Sequence, residues 1–145
     1  MDPKLQLSPH FKLGEFMCHC NLHYPGGVHA PGCHVALISV SLVKKLEVLR
    51  SHFYTGGLTI VDSYRCPWEN IRVGGVSNSQ HQLGEAADIP GVATYNQVKA
   101  LGLFTGIGYN DNSPAHAPDQ RGKVVHVDVR PGNPKSPANW TYPLR

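Results

Sequence analysis

Along the chain, the clearest alternation of apolar and polar positions runs from Val35 to Phe53. Val35, Ile38, Leu42, Leu46, Leu49 and Phe53 recur every three or four residues, with Lys44, Lys45, Glu47 and Arg50 between them. That period predicts one long helix facing a core, stopped by Gly56-Gly57. The β-branched run over 58–61 predicts a strand leading into Ser63-Tyr64-Arg65-Cys66-Pro67, and Pro67 permits a short helix through Ile71. Gly, Ser and Asn over 72–80 predict a loop, and 85–89 a returning strand. Thr94 caps a helix ending near Leu101, and two more strands fall at 106–109 and 124–129 around a polar loop over 110–122. Ser8-Pro9 reads as a helix start, with one amphipathic turn at 13–16, and the proline-rich tail over 131–145 as extended. Helices early and strands late predict an α+β fold, a mainly antiparallel sheet with helices packed on one side.

Composition narrows the class. A chain of 145 residues with 41% hydrophobic and 16% charged residues suits one ordered domain spanning 1–145, and 15 Gly with 12 Pro implies many turns. The net charge is +3, but Lys and Arg are scattered and form no basic run, which argues against a nucleic-acid partner. The first residues, Met1 to Phe16, hold no basic segment followed by a long apolar stretch, so a cytoplasmic product without a signal peptide and without membrane insertion is expected.

The chemistry concentrates in two places. Ser79-Gln80-His81-Gln82-Leu83-Gly84-Glu85-Ala86-Ala87-Asp88 and His126-Val127-Asp128-Val129-Arg130 put imidazoles and carboxylates at the edges of predicted elements. A catalytic zinc takes three such donors and keeps one position open, and two His with one Asp meet that count. Strand alternation turns His126 and Asp128 away from Val125, Val127 and Val129, the predicted core face. Read singly, the same residues are ordinary hydrogen-bonding or surface groups. The second place is the loop over 17–34, which carries Cys18, Cys20, His23, His29, Cys33 and His34; Cys66 is the remaining cysteine. Its readings are a structural metal held by Cys18, Cys20, Cys33 and Cys66, disulfides, or unlinked buried thiols.

Ser79-x-His81-x-x-Gly84-x-Ala86-x-Asp88, with Tyr64-Arg65-Cys66-Pro67 upstream and His126-Val127-Asp128 downstream, resembles the zinc D-alanyl-D-alanine carboxypeptidase and L-alanyl-D-glutamate endopeptidase family, which shares its fold with the hedgehog signalling domain. The likeness runs from about Phe11 to Arg130, and 73–81 resembles the subgroup common in phages. It implies a catalytic zinc on His81, Asp88 and His126, Arg65 beside the metal as a catalytic and substrate-binding group, and Ser79 touching substrate or ordering its loop. It implies hydrolysis of peptidoglycan stem peptides or cross-links by a monomeric phage or prophage lysin, released to the wall or carried in a particle. One departure stands out: many relatives carry an acid three residues before the last His ligand, and here that residue is Lys123. Asp128 is the expected substitute as proton carrier, or else a group that orients a ligand; Glu85 and His116 are further candidates. The competing reading is a zinc-containing but non-catalytic wall-binding or virion module.

Overall fold

The computed structural model describes residues 2–20, 37–111 and 122–143. Its first element differs from expectation. Ser8 and Pro9 open no helix; β1 (Gln6–Ser8) turns back onto β2 (Phe11–Lys12), and a 3-10 turn over Leu13–Phe16 supplies the amphipathic turn. Phe11 and Phe16 meet edge to face at 5.9 Å and are both fully buried.

The predicted long helix is α1 (Val40–Phe53), capped by the Ser39 hydroxyl, which accepts from the Leu42 N–H. It buries Leu42, Val43, Leu46 and Leu49, while Ile38 and Phe53 pack at the margin of the same core. Two short helices follow, α2 (Pro67–Arg72) and α3 (Tyr95–Ala100). Thr94 closes α3 with a reciprocal cap, its hydroxyl taking the Gln97 N–H while the Gln97 side chain takes the Thr94 N–H. Among the described residues, no helix is long and apolar enough to cross a membrane.

Four strands form the main sheet: β3 (Ala86–Asp88), β4 (Gly106–Asp111), β5 (Val124–Asp128) and β6 (Ala138–Pro143), in the order β3-β5-β4-β6. The first two pairings are antiparallel and the β4–β6 pairing is parallel, so the fold is α+β with a mixed sheet. Three expectations change. Residues 58–61 form no strand of their own; the segment joins the sheet through a single bridge, Asp62 to Asp88. The tail is more than extended, because 138–143 supply β6: its one proline, Pro143, stands at the last position, so the residues before it keep their N–H groups for pairing. In β5, Gly108 pairs with His126 but Tyr109 pairs with Val124, which leaves Val125 as a bulge. The bulge shifts the alternation, so Val124 and Val127 enter the core while Val125 is half-buried.

Tyr54, at the end of α1, is 5% exposed and its hydroxyl donates to the Pro90 carbonyl at 2.6 Å. Burial pushes its pKa from 10.0 up to about 12. A raised pKa favours the neutral phenol in the folded state, so its stabilisation is complete below pH 10 and is lost as pH climbs toward 12. Urea unfolding of the wild type should lose about 2 kcal/mol over that window, and Tyr54→Phe should remove most of this loss.

Candidate active site

The site is assembled by one strand pairing and one tight turn. Asp88 and His126 are direct cross-strand partners in the β3–β5 ladder, which puts both side chains on one face. His81 comes from a 3-10 turn over Gln80–Leu83, where the Ser79 hydroxyl accepts from the His81 N–H at 3.2 Å. Gly84 ends the turn at φ 70°, and a Cβ there would lie 2.0 Å from the Leu37 carbonyl oxygen. The Ser-x-His-x-x-Gly spacing is therefore a backbone device: Ser starts the turn and only Gly can end it against the approach to α1. Ala86 and Ala87 are fully buried in β3.

His81, Asp88 and His126 each offer a ligand atom, all within 4.8 Å of one another, and among the described residues they are the group that so converges. Asp88 Oδ1 lies 3.2 Å from His81 Nε2 and 3.1 Å from His126 Nδ1. The outer nitrogens are held from behind. His81 Nδ1 lies 2.6 Å from the Ser63 carbonyl, which only accepts, so that nitrogen carries the proton and Nε2 presents its lone pair. His126 Nε2 lies 2.8 Å from Asp128 Oδ2 and likewise donates, leaving Nδ1 to face Asp88. Neutral imidazoles so oriented aim three electron-pair donors at one point, which a proton or a cation must occupy. The residues thus fit a zinc ion in number, type and orientation.

Burial alone would raise the Asp88 pKa, but hydrogen bonds from His126 and His81 outweigh it and hold the carboxyl below the usual range. Burial likewise opposes charge on His126, and its contacts with Asp128 and Asp88 reverse this and raise its pKa.

The surroundings of Asp128 do not suit a proton carrier. It is fully buried, Oδ2 takes His126 Nε2 and Arg130 Nη2, and Oδ1 takes Arg130 Nε and the Arg130 N–H. Against the cost of burial, the Arg130 contacts bring its pKa down to about 2. Room for this carboxylate exists because residue 106 is glycine; a Cβ there would stand 2.2 Å from Asp128 Oδ1. Asp128 therefore positions His126, the second of the two roles its place on β5 allowed.

Arg65 is buried beside the triad. Its Nη1 donates to Asn70 Oδ1 at 3.1 Å, its Nε lies 3.0 Å from Asp62 Oδ2, and its Nη2 lies 4.0 Å from Asp88 Oδ2. Burial dominates at Asp62 and raises its pKa, with His81 and Arg65 pulling the other way. Arg65, Ser79, Asp62 and Asn110 line an open cleft of about 1210 Å³ together with the triad, and Trp140 and Tyr142 of β6 line it too. The two aromatics were hidden from sequence reasoning by the proline-rich tail; their spacing of two along a strand was the available signal. Lys123 is exposed, bridges to Thr94 and stays out of the cleft lining, so it neither blocks nor replaces a base there. Glu85 does not line the cleft either, and His116 lies outside the described residues.

Cys18, Cys20 and Cys66 pack with Tyr64 in a small second core. The Cys66 N–H donates to Cys18 Sγ at 3.3 Å, and Cys66 Sγ takes the Glu69 N–H at the start of α2. Burial pushes the Cys18 thiol up to about 11, which disfavours thiolate. Among the described residues these three sulfurs do not form a converging ligand set, and Cys33 with His23, His29 and His34 lies outside them.

An α+β fold with a mixed sheet that presents a His-Asp-His group in an open cleft is suited to hold a metal ion. The family model for peptidase M15 matches residues 9–113, and the chain belongs to that family of zinc-dependent peptidases. The matched segment holds His81 and Asp88, while His126 lies beyond it and joins them through the sheet. No curated protein matches the chain.

Gly84→Ala tests the backbone argument. The left-handed φ and the contact with Leu37 should together cost about 3 kcal/mol in urea unfolding, and zinc bound per chain should fall in parallel. Unchanged stability would show that the turn tolerates a side chain.

Proposed function

We propose that the protein hydrolyses peptide bonds in the stem peptides or cross-links of bacterial peptidoglycan, as a D,D-carboxypeptidase or endopeptidase of a phage or prophage lysin acting as a monomer. His81 Nε2, Asp88 Oδ1 and His126 Nδ1 hold one zinc ion. The observation that carries this reading is the convergence of those three atoms within 4.8 Å on the floor of a cleft open to a peptide. The resemblance of the Ser79 to Asp88 pattern to wall peptidases supports the substrate class, and the net charge of +3 suits an anionic wall.

When bound, zinc supplies a Lewis acid that acidifies water and polarises the scissile carbonyl. The protein's own groups provide the rest. Ser63 and Asp128 hold the two imidazoles in the tautomers that face the metal position, and Arg130 keeps Asp128 ionised behind His126. Arg65 places a fixed positive charge next to Asp88, where it faces negative charge developing on the substrate.

Purified, zinc-quantified protein incubated with bacterial peptidoglycan should release new amino groups, and His81→Ala should lose both zinc and release. Asp128→Asn should weaken zinc binding by about 10- to 100-fold in a chelator competition, with activity restored by excess zinc. Sedimentation with walls and no amine release from zinc-loaded wild type would reject hydrolysis in favour of a wall-binding module.

A further inference from the structure

Part of the cleft lining comes from β6, which pairs with β4 so that Trp140 stands beside Gly108 and Tyr142 beside Asn110. Side chains two apart on a strand share a face, and on this face β4 offers Gly106, Gly108 and Asn110. Gly108 is what admits the aromatics, while Gly106 makes room for Asp128. A Cβ on Gly108 would lie 2.6 Å from a Tyr142 ring carbon and 2.7 Å from Trp140 Nε1. Trp140 is clamped between a cation and a candidate ligand: Arg130 Cζ sits 4.9 Å from its ring centre, and the His126 ring 5.0 Å. Tyr142 lies against Trp140 at 6.4 Å and 73°, stays 38% exposed, and lines the cleft with Asp88, His126 and Arg65.

The three arginines of the cleft all face partners within the protein. Arg65 faces Asp62, Asn70 and Asp88; Arg130 holds Asp128; Arg72 holds Glu69 through Nε and Nη2. The Tyr142 hydroxyl hydrogen-bonds the Trp140 side chain, and since an indole N–H can only donate, that bond uses the phenol oxygen and not its proton. Resting on the peptidase reading above, we propose that Tyr142 is a catalytic residue whose hydroxyl donates a hydrogen bond to the oxygen of the reacting carbonyl, with Trp140 as the buttress that aims it. Burial raises the phenol's pKa, against a smaller opposing effect of the Trp140 side chain, so the donor stays protonated at neutral pH. A hydroxyl suits this task because it strengthens its bond as the carbonyl oxygen gains charge, without adding a charge that the substrate must desolvate.

Tyr142→Phe keeps the ring and removes only the donor. The test reads zinc content, thermal unfolding, amine release from peptidoglycan, and calorimetric binding of acetohydroxamate to the zinc-loaded protein, a probe that places an acceptor oxygen at the metal whatever peptide is preferred. In Tyr142→Phe, kcat should fall about 100-fold and acetohydroxamate affinity about tenfold, with zinc and unfolding unchanged; Trp140→Phe should lose less of each. Changes of less than about threefold in both readouts, or losses that track lost zinc, overturn the proposal, as does failure of the zinc-loaded wild type to bind acetohydroxamate. Hydroxyl-dependent acetohydroxamate binding without amine release would reject the peptidoglycan reading and leave the assignment of Tyr142 standing.

Discussion

Three electron-pair donors that converge, two buried imidazoles and a half-buried carboxylate, repel one another unless a positive charge lies between them, and the middle of this protein is arranged to tolerate that. Asp88 sits opposite both imidazoles, and each imidazole is locked from its far side by an acceptor, Ser63 for His81 and Asp128 for His126. Burying such a cluster is costly without a partner. The chain spreads the cost by surrounding the anions with Arg65 and Arg130, each of which touches a carboxylate of the site.

Much of the remaining architecture follows from keeping those lines of support straight. The β3–β5 register decides which side of the sheet Asp88 and His126 share, and the Gly84 turn presses His81 against the entry to α1, where the Ser39 N–H donates to the Gly84 carbonyl. The Arg65 N–H donates to the His81 carbonyl, tying the segment that carries the guanidinium to the turn that carries the ligand. Gly106 and Gly108 remove two side chains from β4, and the space is filled by Asp128 and the β6 aromatics. Chemistry and packing are thus served by the same small residues.

Local reading of the chain succeeded where one short range of residues decides the outcome. The stripe Leu42, Leu46, Leu49 buries as its period requires, and Thr94 caps its helix with its own neighbours. The spacing from Ser79 to Asp88 held enough backbone information to place two donors, because a turn ending in glycine and a strand of alanines are both local.

What the sequence determined by itself was therefore the α+β class and the major helix, which depend on period and turn chemistry, and, through the resemblance of its motifs to a known family, the identity of the converging residues. Tertiary structure decided the rest. A bulge at Val125 reset which valines of β5 enter the core, a choice made by the neighbouring strand rather than by alternation within β5. The buried ion pair with Arg130 turned Asp128 from a cleft carboxylate into the anchor of His126. Parallel pairing with β4 converted a proline-rich tail into the strand that carries Trp140 and Tyr142. Each of these depends on groups far apart in the chain whose hydrogen-bonding and packing partners exist only after the sheet has formed, so no window of sequence contains them.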